Sequence, residues 1–262
     1  MILCADDYGL SDDIDHAVLD LCGARKLSAV SCMVVFERCT TKSLCELRKY
    51  EVPVDIGLHF CLTDEGLPLA TLRAGTLPWI FPSFGNLFRR ALAGQVAAQE
   101  IASQVSTQYD LFFDKCGRRP DFIDGHLHVH QLPGVREGLL DFVLSLPSGA
   151  RPYVRNTYLP LKKIRRNRLP WLKAALIGAF GAQTRKRLHA ANVATNDGFA
   201  GIYDFREWQH YAKYLPRFAA CLEKPNGILV VHPGSRDAWR RQELKTLREF
   251  SFASGSPNRF QH

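Results

Sequence analysis

Apolar and polar positions along this chain form two kinds of segment: short apolar runs typical of strands and longer stretches with helical spacing. The runs that predict strands are Ile2–Cys4, Ala29–Phe36, Val54–His59, Phe122–Asp124, Tyr153–Val154 and Ile228–Val231. The spacing predicts helices at about 13–25, 42–49, 134–144, 205–222 and 239–249, with further helical patterns up to 108 and in much of the segment after 154. Strands that alternate with helices favour βαβ units and a mainly parallel sheet.

The order of these elements also predicts the architecture. No glycine- or serine-rich linker and no internal repeat interrupts the chain, so we expect a single domain over residues 1–262. A long irregular stretch rich in Gly, Pro and Thr follows the third strand. The number of strands favours an α/β fold of the irregular (β/α) TIM-like barrel type, with mainly parallel strands, over an open sheet.

Composition changes this picture in one segment only. With 46% hydrophobic and 23% charged residues, the chain is typical of soluble globular proteins. Its net charge of +8 is concentrated between Lys162 and Arg187, where nine Lys and Arg residues occur without an Asp or Glu. The rest of the chain is nearly neutral, so the basic composition gives no reason to expect nucleic-acid binding.

The cysteines and the apolar stretches indicate a location. The eight cysteines show no C-x-x-C spacing and several lie in apolar runs, which is typical of buried free thiols. No apolar stretch is long enough for a transmembrane helix, and the first residues lack the pattern of a secretion signal. We therefore expect a cytoplasmic protein.

Residues that bind metals or transfer protons follow four of the predicted strands. They are Asp6 and Asp7, then His59, then His126, His128 and His130, and finally His232. In a parallel α/β architecture these strand ends open onto one face, where active sites are built. The pattern predicts a site assembled from distant parts of the chain.

The adjacent carboxylates Asp6 and Asp7 can take different roles. Neighbouring residues at a strand end point in different directions, so one can bind a metal while the other faces water as a general base. The alternative is that Asp7 and Ser11 make turn and helix-cap contacts.

The histidines of the sequence DGHLHVH also allow more than one arrangement. Alternation as in a strand would place His126, His128 and His130 on one side, whereas a loop would scatter them. One or two ligands are expected here, and the remaining rings would orient neighbours or line the cleft. The alternatives elsewhere are a hydrogen-bonded strand end for His59 and a capped turn for His232.

Five blocks of the sequence resemble the YdjC-type carbohydrate deacetylases. They are ADDYGLS (5–11), GLHFCLTDEGLPL (57–69), DFIDGHLHVHQLP (121–133), HPG (232–234) and RRQEL (240–244). The resemblance implies an irregular α/β barrel that removes acetyl groups from N-acetylated sugars with a divalent metal. It implies that Asp7, His59 and His126 bind the metal and that Asp6 is the catalytic base. His128 and His130 fall at positions not usually counted as ligands.

The chain departs from that family's pattern at three positions. Tyr8 stands where the family has Phe, and Ser235 stands where an aromatic residue is frequent. Ile228 replaces a glutamate four residues before the histidine of HPG, which removes an acid from that strand.

The expected chemistry is hydrolysis of a linear amide C–N bond. Two neutral imidazoles and one carboxylate leave positions open for water and substrate at a divalent metal, Mg or Zn. Asp6 would accept a proton from the attacking water. A protonated His232 would stabilise the tetrahedral intermediate or protonate the leaving amine.

Two other functions fit the same residues. One is another barrel metal-dependent hydrolase, such as a phosphoesterase, which would need more bridging carboxylates for two metals. The other is a catalytically relict carbohydrate-binding protein, and the departures from the family pattern at Ile228 and Ser235 support this alternative. Metal stoichiometry separates the first from a deacetylase, and sugar binding without acetate release identifies the second.

The basic segment 162–187 raises a question of its own. Apolar residues at helical spacing, Leu169, Leu172, Leu176 and Phe180, lie between basic clusters. Such a pattern fits peripheral contact with an anionic membrane at its cytoplasmic face, from which a lipid-linked amino sugar would be reached. The alternative is an ordinary outer helix with a solvated basic flank.

Overall fold

One parallel sheet organises the protein in a computed structural model, which describes residues 1–49, 54–67, 69–169, 171–251 and 259–261. Its seven strands lie in the order β5-β4-β3-β2-β1-β7-β6. The strands are β1 (Ile2–Tyr8), β2 (Ala29–Cys32), β3 (Asp55–Phe60), β4 (Phe122–Gly125), β5 (Tyr153–Val154), β6 (Gly198–Ala200) and β7 (Gly227–Val231). All pairs are parallel, so the carboxyl ends of the strands meet at one face.

Helices connect the strands and cover the sheet. They are α1 (Asp12–Gly23), α2 (Thr41–Leu47), α3 (Phe84–Leu92), α4 (Ala98–Cys116), α5 (Val135–Ser145), α6 (Leu161–Arg166), α7 (Trp171–Ala190), α8 (Tyr211–Ala219) and α9 (Ala238–Glu249). Short 3-10 turns occupy other connections, among them His126–Gln131 directly after β4. None of the helices in the described ranges is long and apolar enough to cross a membrane.

The prediction of a TIM-like barrel is confirmed only in part, because the sheet curls but stays open. Its edge strands β5 and β6 have two and three residues and are not paired with each other. In the described part of the chain, the edges meet at a single bridge between Val154 and Thr195, just before β6. The fold is therefore a barrel-like α/β fold with an open seven-stranded sheet.

Several element boundaries differ from the prediction. The strand expected over Ala29–Phe36 ends at Cys32, and Phe36 instead forms an antiparallel bridge with Leu72. The helix expected from 205 to 222 is a 3-10 turn followed by α8, because Glu207 leaves helical geometry. Strand β6 was not predicted, since its three residues are too few to show a periodic pattern.

The apolar residues that predicted the strands form the core. Every residue of β1, β2, β3 and β7 is buried. The cysteines are free thiols, and all but the exposed Cys45 are buried, as predicted. Polar groups at the strand ends are thus surrounded by a water-poor interior, where their charges interact strongly.

Candidate metal centre

A bulge at the end of β1 separates the two adjacent aspartates. The register with β2 shifts between Ala5 and Tyr8, and Asp7 adopts a φ of 70°. This left-handed conformation is uncommon for a residue other than glycine, and bulges re-aim side chains next to active sites. Asp6 and Asp7 consequently contact different partners, as the sequence predicted.

The structure brings together the three residues expected to bind a metal. Asp7 Oδ1 lies 2.9 Å from His126 Nδ1 and 3.4 Å from His59 Nε2. The two ring nitrogens are 3.3 Å apart, and all three side chains are buried. Ligand atoms about 2.1 Å from one ion are separated by roughly 3 to 3.5 Å. The donor set and its spacing therefore fit one divalent metal.

Each of these three residues is held through its other polar atom. His59 Nδ1 lies 2.6 Å from Asp124 Oδ1, and His126 Nε2 lies 2.8 Å from Glu65 Oε2. Arg240 donates to Asp7 Oδ2 over 2.6 Å. Carboxylates behind metal-binding imidazoles fix the tautomer and the ring orientation. Because His59 Nδ1 and His126 Nε2 face carboxylates, the two ring nitrogens that face Asp7 can bind a metal once they are deprotonated.

The electrostatics favour positive charge at this point. Burial opposes protonation of His59, but the carboxylates of Asp124 and Asp6 outweigh it and raise the pKa of His59 to about 10. Burial is likewise outweighed at His126, where Asp7 raises the pKa to about 9. The pKa of Asp7 is held well below its usual range because Arg240 and His126 outweigh the effect of burial. A divalent cation would be stabilised by the same carboxylates that raise the pKa values of the two histidines.

Asp6 contacts a buried arginine rather than the two histidines. Arg155 follows β5 and donates to Asp6 Oδ1 over 2.8 Å and to Oδ2 over 2.7 Å. The same guanidinium contacts Asp124 and donates to Cys4 Sγ over 3.0 Å. Cys4, Asp6 and Asp124 form the second of two potential ligand groups within the described residues. Arg155 fills that group with a positive charge, so the geometry offers one metal position and not two.

The three histidines of DGHLHVH go to three different places. Leu127 and His128 adopt φ values of 52° and 58°, so the segment turns and the rings diverge. His126 faces Asp7, while the buried His130 donates through Nε2 to the Arg155 carbonyl over 3.0 Å. His128 packs edge-on against Phe199 and lines the cavity described below. One or two ligands were expected from this segment, and only His126 lies beside Asp7 and His59.

His232 lies in the wall of the same cavity, beside Phe205 and Trp239. Its backbone N–H donates to Glu243 Oε2 over 2.7 Å. Burial lowers the pKa of His232 to about 4, so the ring is neutral near pH 7. A His232 that is to protonate the leaving amine must therefore first gain a proton, because burial outweighs the attraction of the nearby aspartates.

A cavity of about 610 Å³ opens over these groups. Asp6, Asp7, His59, His126 and His232 all border it. Most of the remaining wall is apolar and comes from α3, α7 and the segment around Phe205. A cavity of this size accommodates an organic molecule well beyond an acetyl group.

Comparison with known proteins agrees with the sequence blocks. A sequence model described as YdjC-like protein matches residues 1–254. The chain belongs to the YdjC-like family. A carbohydrate deacetylase of Mus musculus is 28% identical over 253 residues, which cover 89% of this chain and 77% of that protein.

Other relatives align over a shorter part. A chitooligosaccharide deacetylase of Enterobacter is 31% identical over 140 residues, which is 52% of each chain. A carbohydrate deacetylase of Danio rerio is 34% identical over 142 residues, 52% of this chain and 44% of that one. These two alignments thus span about half the length of the relatives.

A solved structure shares the fold. It is an Enterococcus faecalis protein provisionally described as a cellobiose-phosphate cleavage protein, with a TM-score of 0.62 and 19% identity. The match covers 94% of this chain and 89% of the other. The likeness supports the α/β architecture found here.

The position where this YdjC-like chain lacks the expected glutamate holds a buried apolar residue. Ile228 is buried in the core between β1 and β6. Glu243 on α9, within the block RRQEL, instead accepts from the His232 backbone and from Tyr203 Oη over 2.7 Å. The carboxylate of Glu243, on helix α9, therefore holds the backbone directly after β7.

Sequence reasoning missed five residues that hold the site. They are Asp124, Arg155, Glu65, Arg240 and Glu243. Asp124 and Arg155 lie at strand ends, so the criterion that selected His59 would also have selected them. Glu65, Arg240 and Glu243 lie within the blocks GLHFCLTDEGLPL and RRQEL, but nothing local predicts their partners.

Proposed function

We propose that this protein is a metal-dependent hydrolase that removes the acetyl group from an N-acetylated sugar. The observation that carries the proposal is the convergence of the Asp7, His59 and His126 ligand atoms within 2.9–3.4 Å in the cavity that Asp6 also borders. The names of the relatives, carbohydrate deacetylase and chitooligosaccharide deacetylase, support the reaction and the substrate class.

The reaction consumes one water for each amide bond. The water oxygen joins the acetyl carbon, the C–N bond breaks, and the nitrogen leaves as an amine that takes up a proton, with acetate as the other product. A divalent ion, Zn or Mg, supplies Lewis acidity for the carbonyl and the water when bound. The choice of metal is part of the proposal: His59 and His126 favour Zn, because Mg prefers oxygen ligands.

Asp6 is the residue that we assign as general base. Both of its oxygens accept from the Arg155 guanidinium, and this fork fixes the plane of the carboxylate. A base held in one orientation accepts the proton of an attacking water without rearrangement. Arg155 is therefore a positioning residue for Asp6.

His232 acts on the side of the leaving group. Because burial keeps its ring neutral, it can donate one N–H to the developing oxyanion. Protonation of the amine then requires a proton that reaches His232 during the reaction. His232→Ala should lower turnover severely while metal content stays near that of the wild type; loss of the metal would instead make His232 a ligand.

The decisive experiment is acetate release from a panel of N-acetylated sugars, first with metal-free protein and then with each metal restored. Release is expected only with metal. Asp6→Asn is the matched variant, because it keeps the shape of the side chain and should lose activity with its metal content retained. If no sugar in the panel releases acetate with any metal, the proposal fails.

We also propose that the protein works in the cytoplasm, in peripheral contact with an anionic membrane through residues 162–187. Leu172 and Leu176 are exposed there, among basic residues without acidic neighbours in the segment. Exposed apolar side chains within a basic surface suit anionic lipid headgroups.

Sedimentation with anionic liposomes at low and physiological salt tests this contact. The double variant Arg165→Glu/Arg166→Glu should bind more weakly, whereas Lys213→Glu/Lys245→Glu, with the same change of charge at exposed sites elsewhere, should bind like the wild type. Wild-type protein that stays in the supernatant at both salt concentrations would disprove the contact.

A further inference from the structure

One wall of the cavity has no role in the reaction proposed above. The titratable groups other than Lys173 lie at or after the strand ends and on α9, whereas α3 and α7 contribute Phe84, Phe88, Leu176, Ile177 and Phe180. We refer to these five residues as the apolar wall. Aromatic rings can stack on a sugar, but the aliphatic members offer no hydrogen bond to its hydroxyl groups.

Apolar side chains also surround the mouth of the cavity. Phe84 is 39%, Leu127 46% and Leu176 57% exposed, and all three border the cavity. Exposed apolar residues gathered at the edge of a cleft mark binding sites for apolar ligands. Their position next to the apolar wall makes one continuous hydrocarbon-like surface from the interior to the solvent.

The backbone at Leu127 supports this interpretation. Leu127 has a φ of 52°, a left-handed conformation that is uncommon for leucine, and it lies between His126 and His128. Strained residues of this kind cluster at active sites and ligand clamps. Here the strain directs the backbone so that an apolar side chain is exposed beside a candidate metal ligand.

The nearest cation on α7 already has contacts. Lys173 Nζ donates to the Tyr203 carbonyl over 3.3 Å and lies 4.7 Å from the centre of the Phe205 ring. Partial burial of the ammonium group lowers the pKa of Lys173, although the residue as a whole is exposed. This part of the cavity therefore suits a hydrocarbon better than the hydroxyl groups of a second sugar.

We propose that the substrate is a glycolipid: an N-acetylated sugar joined to a hydrocarbon chain that lies along the apolar wall. The acetamido group would reach Asp6, Asp7, His59 and His126, and the chain would leave past Leu176. This inference rests on the proposed deacetylation and narrows its substrate class.

The test compares alkyl glycosides of N-acetylglucosamine that differ only in chain length. Methyl, butyl and octyl glycosides are supplied to the metal-loaded protein below their micelle concentrations. Acetate release gives kcat/KM, and calorimetry on the metal-free protein gives the affinity. Burial of each additional methylene should raise kcat/KM and affinity about fourfold until the chain leaves the cavity.

A matched pair of variants assigns the effect to the apolar wall. Leu176→Gln should lower the ratio of kcat/KM for the octyl glycoside to kcat/KM for the methyl glycoside roughly tenfold. Leu92→Gln is the control, because Leu92 is also 57% exposed but does not border the cavity. Both side chains are exposed enough for the variants to fold.

The outcomes separate this inference from the proposed function. Acetate release that does not depend on chain length, or an equal loss in both variants, overturns the glycolipid substrate and leaves deacetylation intact. Affinity that rises with chain length and falls in Leu176→Gln, without acetate release, supports the hydrocarbon site and overturns deacetylation. If the alkyl glycosides are neither bound nor deacetylated, both the glycolipid substrate and the deacetylation are overturned.

Discussion

Two residues that are adjacent in the sequence, Asp6 and Asp7, take part in separate networks. The bulge at the end of β1 directs Asp7 to His59 and His126, and leaves Asp6 to Arg155. Neither network is local, since Arg155 is 149 residues from Asp6 along the chain. The distinct roles proposed for two identical side chains follow from their partners.

At the residue scale, the fork between Arg155 and Asp6 should control turnover. Arg155→Lys keeps the charge but loses the planar pair of donors, so Asp6 is no longer held in one orientation. We expect kcat to fall on the order of a hundredfold, with metal content near that of the wild type. Steady-state kinetics and metal analysis check both points. An unchanged kcat would show that Asp6 needs no such positioning.

Glu243 should make stability depend on pH. Burial raises the pKa of Glu243 from 4.5 to about 7, so the native state keeps a proton that the unfolded chain has lost. The contribution of Glu243 to the free energy of unfolding is therefore complete below pH 4.5. It decreases by about 3 kcal/mol as the pH rises to 7. Urea unfolding of the metal-free wild type and of Glu243→Gln at both pH values isolates the contribution of Glu243. If the two proteins differed by the same free energy of unfolding at both pH values, the prediction would be wrong.

At the element scale, helix α7 is packed onto the segment that carries Arg155. Thr157 Oγ1 donates to the Ile177 carbonyl over 2.9 Å, and a Cβ at Gly181 would lie 2.6 Å from the Thr157 backbone carbon. The glycine allows this helix to approach the end of β5 closely. The position of α7 in turn determines where the apolar wall lies.

Two glycines of α7 provide a matched test of this packing. Gly181→Ala should destabilise the protein by about 1–3 kcal/mol, because the new methyl group overlaps the Thr157 backbone. Gly178→Ala meets no atom closer than 3.8 Å and should instead stabilise the helix by roughly 0.5–1 kcal/mol. Chemical unfolding measures both, and equal effects at the two positions would refute the close approach.

At the scale of the whole molecule, the candidate metal centre joins distant parts of the fold. Its three residues come from β1, from β3 and from the turn after β4. A bound ion would connect these segments in the native state only, and would therefore shift the unfolding equilibrium.

A divalent metal should raise the melting temperature. At a hundred times its Kd, the ion contributes about 2.7 kcal/mol, which corresponds to roughly 5–10 °C for a chain of this size. Because protons compete for His59 and His126, whose pKa values are raised to about 10 and 9, the shift should shrink as the pH falls below about 9.

Thermal melts with metal and with chelator check this shift. His59→Ala should lose it, whereas His189→Ala, an exposed histidine on α7, should keep it. A shift that survives in His59→Ala would place the ion elsewhere.

By itself, the sequence determined the alternation of strands and helices and the collection of Asp6, Asp7, His59, His126 and His232 at the strand ends. Both are local properties, since apolar periodicity fixes each element and parallel strands present their carboxyl ends on one side. The blocks resembling YdjC-type deacetylases added the family.

Only the tertiary structure decided the rest. The sheet is open because the short edge strands β5 and β6 do not pair with each other, and the divergence of the three histidines follows from left-handed geometry at Leu127 and His128. The contacts of Arg155 and Arg240 and the apolar wall join residues far apart in sequence. No periodic pattern encodes such contacts, because they depend on how helices and strand ends pack in three dimensions.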